Sequence, residues 1–264
     1  EPTLTDAQGR SFRNLRVSLT AACNYACNYC VPKGKQLHRA RHELDTGQFL
    51  RALDYLIEVA GIEKLRITGG EPLLSPQFDD FLYGAMQRPL KDVSITTNGQ
   101  FLLQKMPVLK AAGIRRINVS LDTLHPVMFQ KICRSGDLPT VLAGIDALLD
   151  ADIKVKINMV PMRTQNEDQI VPLLNYCLAR GIELRFIELM RMGHWQHNAD
   201  YSRELVPMGR ILSLIAQCYT YLRTAAEFDA TAARFEIPGK GFFGIIANES
   251  LPFCSTCSRL RLSS

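Results

Sequence analysis

Cys23, Cys27 and Cys30 stand in C-x3-C-x2-C spacing, and a second pair, Cys254 and Cys257, stands in C-x2-C spacing. Three thiolates hold three irons of a [4Fe–4S] cube and leave the fourth iron open to another ligand, which a four-cysteine electron-transfer cluster does not do. Structural zinc wants four protein ligands, and the first motif has no neighbouring histidine to complete a set, since His38 and His42 fall in a different loop context. Asn24, Asn28 and Tyr29 between the cysteines are polar and turn-like, unlike the neighbours of buried structural thiols. The later pair cannot complete a tetrahedral ion or a cluster by itself; it needs a third thiolate. Cys133, Cys177 and Cys218 sit in ordinary helical or loop contexts and read as structural.

Five basic residues form a second constellation: Arg16, Lys64, Arg66, Lys156 and Arg185. Each lies on or beside a β-branched run, and charge in the middle of a barrel strand is costly unless it meets a ligand or an opposite charge. Pairing with Glu63, Glu183, Glu188 or Asp122 accounts for one or two of them but hardly for all five. Guanidinium groups bind phosphate oxygens in a bidentate fashion, so basic side chains aimed inward from several strand ends make a cage for a polyphosphate.

The elements that must position these residues alternate. Short strand-like runs at Arg16–Thr20, Lys64–Thr68, Asp92–Thr96, Arg116–Leu121, Lys154–Val160 and Glu183–Leu189 are separated by helical patterns near Thr46–Ala60, Gln77–Met86, Leu102–Ala112, Leu138–Ala151 and Glu167–Arg180. Gly61, Gly113 and Gly181 follow helices, where a left-handed cap is wanted. This order predicts an α/β fold with a parallel sheet, and six units are too few for a closed eight-stranded barrel. The expectation is a partial (β/α)6 TIM-like barrel over 1–190, with ligands at the C-terminal strand ends. A less regular C-terminal extension, 191–264, is expected to cover the open face.

The segment CNYACNYC, with an aromatic residue directly before its last cysteine, resembles the signature of the radical S-adenosylmethionine (SAM) superfamily. That resemblance implies a six-unit partial barrel. It also implies an open iron chelated by the amino and carboxylate groups of SAM, and reductive cleavage to a 5′-deoxyadenosyl radical. TGGEP, residues 68–72, resembles the family's cosubstrate motif. By the same resemblance Tyr29, Gly70, Glu71, Thr97, Asn98, Ser120, Asp122 and Met190 contact the cofactors.

A narrower likeness runs over nearly the whole chain. KLRITGGEPLL, ITTNG, INVSLD, KINMV, RFIEL and FCSTCSRLRL resemble the GTP 3′,8-cyclases of molybdenum cofactor biosynthesis. This implies two [4Fe–4S] clusters, the second held by Cys254, Cys257 and one further cysteine about a dozen residues on, which is absent from this sequence. It implies phosphate contacts at Arg16, Lys64, Arg66, Lys156 and Arg185. Arg259 and Arg261 would lie near the substrate base and phosphates and supply positive charge during catalysis. The partners it implies are GTP, an electron donor such as flavodoxin or ferredoxin, and cyclic pyranopterin monophosphate synthase downstream; a homodimer is a further expectation. TAACN and VPKGK depart from the family's pattern on either side of the cluster motif. The competing readings are a two-cluster radical enzyme that modifies a peptide or tRNA, and a non-catalytic iron–sulfur sensor or scaffold.

Composition narrows the field. The chain has 264 residues, 47% apolar and 22% charged, which suits one compact main domain and argues against wholesale disorder. Its net charge of +5 is spread along the chain. With no basic block and no basic stripe interleaved with aromatics, a nucleic-acid partner is not expected. No run approaches the roughly 18 to 20 apolar residues that span a bilayer, and the first residues lack an apolar signal region, so the expectation is a cytoplasmic protein without a membrane partner. The sequence starts at Glu1 rather than Met, so residues upstream of it are expected.

Overall fold

The computed structural model describes residues 4–7, 9–225, 231–251 and 258–263. The first six strands are β1 (Asn14–Ser18), β2 (Lys64–Thr68), β3 (Asp92–Thr97), β4 (Arg116–Ser120), β5 (Lys154–Met159) and β6 (Glu183–Ile187). Between them run α1 (Thr46–Ala60), α2 (Phe78–Met86), α3 (Leu102–Ala112), α4 (Pro126–Cys133), α5 (Leu138–Asp150) and α6 (Ile170–Ala179). The strands pair in sequence order and in parallel, as the alternation predicted.

Local chemistry sets these boundaries. Asp45 accepts from the Gln48 backbone while the Gln48 side chain accepts from Asp45, a reciprocal cap that starts α1. Gly61 and Gly113 take left-handed conformations directly after α1 and α3. Two features differ from the sequence reading. The stretch before α6 begins as a 3-10 turn, Glu167–Gln169, so the α-helix itself starts at Ile170. The eight-residue α4 was not anticipated: it ends at Arg134, a non-glycine residue at φ 58°, so the usual glycine stop is missing from the sequence.

The C-terminal region also departs from expectation. It contains α7 (Tyr201–Glu204), α8 (Met208–Ala216), β7 (Leu222–Arg223), β8 (Ala233–Ile237), β9 (Gly241–Ile246) and β10 (Arg259–Ser263). Rather than lying over the open face as irregular chain, it extends the sheet at both ends. β9 joins β6 in parallel, and β10 joins β1 in parallel. Eight neighbouring strands, β10, β1 to β6 and β9, therefore run the same way, with β8 and β7 added antiparallel beyond β9. Among the described residues β10 makes no ladder with β7 or β9, so the barrel stays open.

Side chains alternate along each strand. On β1 Leu15 and Val17 are buried, while Asn14, Arg16 and Ser18 lie on the opposite face. Ile67, Ile95, Val119, Ile157 and Phe186 continue the buried layer against Phe49, Phe81 and Val141 of the helices. The other face carries the polar and charged residues, and it lines the lumen. No helix among the described residues is long and apolar enough to cross a membrane.

Candidate active site

The cysteine loop leaves β1 and folds on itself, with Cys30 N and Val31 N donating to Cys27 O at 2.9 and 3.0 Å. The end of α4 holds it. Ala26 N donates to Cys133 O and Asn28 N to Ile132 O, each at 3.0 Å, so the loop satisfies carbonyls that a helix end leaves unpaired. Arg134 Nη1 reaches Val31 O at 3.2 Å and Pro32 O at 3.0 Å. The strain of its left-handed backbone thus places a guanidinium over the loop.

The donor set fits an iron–sulfur cube. Burial pushes the Cys23 thiol up to about 11, so this group stays protonated until a metal takes the place of the proton. Tyr25 N, at 3.4 Å, and Asn98 Nδ2, at 3.8 Å, donate toward Cys23 Sγ. No three ligating side chains among the described residues converge on a single ion. A cube needs no such convergence, because each thiolate serves its own iron.

TGGEP packs directly beneath this loop. Gly70 N donates to Thr20 O at 2.7 Å and Glu71 N to Ala22 O at 2.8 Å. A Cβ on Gly70 would stand 2.3 Å from Ala22 O and 2.6 Å from Ala21 O, so the backbone approach permits glycine alone. Fully buried Glu71 then crosses to the end of β3, accepting from Leu73 N at 3.1 Å, Thr97 Oγ1 at 2.7 Å and Asn98 N at 2.7 Å. Asn98 Nδ2 returns to Asn24 Oδ1 at 2.9 Å. Glu71, Thr97 and Asn98 therefore form one network under the cysteine loop.

A second tie crosses to β4. The Tyr29 hydroxyl donates to Asp122 Oδ2 at 2.9 Å, and Val160 N donates to Asp122 Oδ1 at 2.9 Å. Burial lifts the Asp122 carboxyl to about 6 against these two donors. Ser120 ends β4 in register with Asn158 of β5. Met190 lies past β6, more than a third exposed.

Below the loop the lumen holds a cavity of about 260 Å³ lined by Arg16, Arg66, Arg185, Arg259 and Arg261, with Asn158, Asn248 and Met190 at its wall. Register brings them together: Arg16 stands opposite Arg66 on β2 and Arg261 on β10. Burial, then Arg185, Arg16 and Arg116, drive the proton affinity of Arg66 down. A guanidinium hardly ever gives up its proton, so such a site favours an anion. Arg66 makes no hydrogen bond or ion pair with the described residues. Arg185 is bound by two neutral amides, Asn118 and Asn158, which orient its charge without cancelling it.

Two expected phosphate contacts lie apart from this cavity. Lys156 points to the N-terminal end of the lumen, where its Nζ is 3.4 Å from Glu183 Oε1. Lys64 begins β2 and is exposed. Cys254 and Cys257 lie outside the described residues. Sequence reasoning passed over Asn118 and Asn158, and it offered Glu188 as a partner for the basic residues, whereas the structure binds it to backbone amides. Buried Glu188 accepts from Met208 N and Glu249 N, each at 2.8 Å, and Ser250 N, at 3.0 Å, tying β6 to the C-terminal region. The available signal for the two asparagines was a polar residue at an inward strand position within INVS and KINM.

An open parallel barrel with a three-thiol loop at its mouth defines a class, and the sequence profile of the Radical SAM superfamily matches residues 17–177. That of Molybdenum Cofactor Synthesis C matches residues 182–264. Among solved structures, Streptococcus suis SuiB bound to precursor peptide SuiA superposes with TM-score 0.66 at 16% identity, covering 80% of this chain and 47% of that one. Escherichia coli coproporphyrinogen III oxidase (HemN), a radical SAM enzyme, does so with TM-score 0.56 at 14% identity, covering 95% and 63%. These two likenesses concern the fold.

The GTP 3′,8-cyclase of Synechocystis sp. is 36% identical over 261 residues, 99% of this chain and 79% of the relative. That of Aquifex aeolicus is 35% identical over 263 residues, 98% and 82%. The chain belongs to the GTP 3′,8-cyclase family of the radical SAM superfamily.

Proposed function

We propose that this protein converts GTP to (8S)-3′,8-cyclo-7,8-dihydroguanosine 5′-triphosphate in molybdenum cofactor biosynthesis, as a radical SAM lyase. The observation that carries the reading is Arg66, a buried guanidinium without a partner among the described residues, in a lumen it shares with four further arginines. Buried charge without a counter-ion is costly, and a triphosphate supplies the missing charge.

A [4Fe–4S] cluster and SAM, when bound, supply the one-electron cleavage that generates the hydrogen-abstracting radical. Cys23, Cys27 and Cys30 hold the cluster. Tyr29, Gly70, Glu71, Thr97, Asn98, Ser120 and Met190 surround the cosubstrate, the glycine by leaving its backbone bare. Arg16, Arg66 and Arg185 grip the phosphates, with Lys64 and Lys156 attracting the anion from the far end of the lumen. Arg259 and Arg261 offer positive charge to the purine as the added radical is reduced. Residues 1–190 form the radical-generating unit, and 191–264 carry the auxiliary cluster on Cys254, Cys257 and a third thiolate.

The electron comes from a flavodoxin or ferredoxin, and the product passes to cyclic pyranopterin monophosphate synthase. The setting is cytoplasmic and the assembly a homodimer. The test is anaerobic reconstitution, iron and sulfide counting, and incubation with GTP, SAM and reductant. Two clusters' worth of iron and a cyclised nucleotide support the reading. SAM cleavage with GTP unchanged would discard it in favour of a peptide or tRNA substrate.

A further inference from the structure

We infer that the loop of residues 31–42 is the docking surface for a small acidic protein that delivers single electrons to the cluster. This inference rests on the radical SAM reading above, because only a reducible cluster needs such a visitor.

Four observations converge on the loop. It is a local concentration of cations that the even spread of charge read from the whole sequence passed over, with exposed Lys33, Lys35, Arg39 and Arg41 between Cys30 and Glu43 and no acidic residue among them. Arg39 is paired to Glu43, whereas the side chains of Lys33, Lys35 and Arg41 meet no carboxylate of the described residues. None of these cations lines the arginine cavity, so their charge is not committed to the nucleotide. A run of like charge self-repels, and this one is kept together without internal neutralisation.

The loop is also held down. Cys23 N donates to Leu37 O at 3.3 Å, Lys35 N to Pro32 O at 3.2 Å, and Thr20 Oγ1 to Glu43 Oε1 at 2.6 Å. Arg134 fixes its first two carbonyls. The cations are thus presented in one place beside the cysteine loop.

Cys30 is the exposed cysteine of the three, while Cys23 and Cys27 are half-buried. That exposed thiol directly precedes the basic loop in the chain. Electron transfer needs close approach, and opposite charge raises encounter rates most at low ionic strength. A donor with an acidic rim around its redox group fits both demands. On docking, the reduced carrier loses one electron and the oxidised cluster gains one; no proton or atom changes hands.

The test uses the reconstituted holoenzyme, reduced acidic flavodoxin as probe, and the triple variant Lys33→Ala/Lys35→Ala/Arg41→Ala. Lys110→Ala, an exposed cation on α3, serves as control. Calorimetric affinity and stopped-flow reduction of the cluster are read at rising salt. The triple variant is expected to lose about tenfold in both and most of its salt dependence, as removal of steering charges does. Reduction by photoexcited deazaflavin should match wild type and show an intact cluster. Equal affinity and rate in wild type and triple variant would overturn the docking surface. So would loop-dependent binding of a mixed-sequence RNA in place of flavodoxin. Because binding is measured separately, an enzyme that fails to cleave SAM even after deazaflavin reduction would refute the activity and leave the docking result to stand or fall by itself.

Discussion

Arg185 on β6 reaches past β5 to Asn118 on β4, its Nη2 2.9 Å from Asn118 Oδ1. The bond spans two strand spacings and aims the guanidinium along the lumen. Replacing Asn118 with Ala leaves Arg185 held by Asn158 alone and its Nη2 end unfixed. A hydrogen bond to a charged group contributes about 1.5 kcal/mol or more, so KM for GTP should rise about tenfold while kcat changes little. Steady-state kinetics decide it; a collapse of kcat at unchanged KM would contradict a binding role.

Arg66→Met separates stability from binding. Exchanging a buried charge for an apolar side chain of similar length is neutral or stabilising, by about 1 kcal/mol or more, when the charge lacks a partner. The nucleotide-free variant should therefore melt at or above the wild-type temperature, yet bind GTP at least about tenfold more weakly, the loss of one charge-assisted contact. Calorimetry and GTP titration read the two effects. A large drop in melting temperature would mean that Arg66 is structurally paired.

Gly70→Ala drives a methyl group against Ala21 O and Ala22 O, two backbone atoms that cannot rotate away. The cysteine loop must shift while the strands stay in place. Far-ultraviolet circular dichroism should remain that of wild type, with the iron retained after reconstitution clearly reduced. Full iron loading would show that the loop tolerates the displacement.

Arg134→Met removes the two bonds to Val31 O and Pro32 O. Each is a charged bond of about 1.5 kcal/mol, so with both lost the loop should open more often and surrender iron to a chelator about a hundredfold faster. Absorbance decay in the presence of a chelator measures this. An unchanged rate would assign the hold to the α4 carbonyls alone.

Burial raises the Glu71 carboxyl from 4.5 to about 7, outweighing its bonds from Asn98, Thr97 and Leu73. A raised carboxylate means that the unfolded chain releases the proton first. Its contribution is fully present below pH 4.5 and is lost as pH climbs through about 7. The loss is about 3 kcal/mol at 1.36 kcal/mol per unit. Urea unfolding of the metal-free protein should show this decline between those limits, and Glu71→Gln should flatten it. An identical slope in the variant would locate the titration elsewhere.

Much of the frame was legible in the sequence, for identifiable reasons. Hydrophobic runs ending at a polar residue set the first six strands to within a residue or two, and Gly61 and Gly113 marked helix ends because an αL cap favours glycine. Arg134 takes the same conformation without the glycine, and α4 stayed hidden with it. RLRLS alternates like a strand, but no local pattern says that its neighbour is β1. The cysteine motif was readable because its chemistry is local. The amides that orient Arg185 were not, since Asn118 and Asn158 acquire meaning only when register sets them beside it. Depth along a strand was equally silent: Lys64 and Arg66 share a face, yet only Arg66 reaches the cavity.

The pairing of β10 with β1 sets the timing of assembly. Asn14 Nδ2 meets Ser258 Oγ across 244 residues of chain, and Arg259 and Arg261 arrive on that same strand. A nascent polypeptide still threaded through the ribosome has its first arginines ready long before their counterparts emerge. So wide a closure is slow, because its entropy is lost before the ladder forms. Nucleotide therefore meets a finished pocket only after translation has passed this strand, and truncated synthesis products ending before it carry a lopsided lumen.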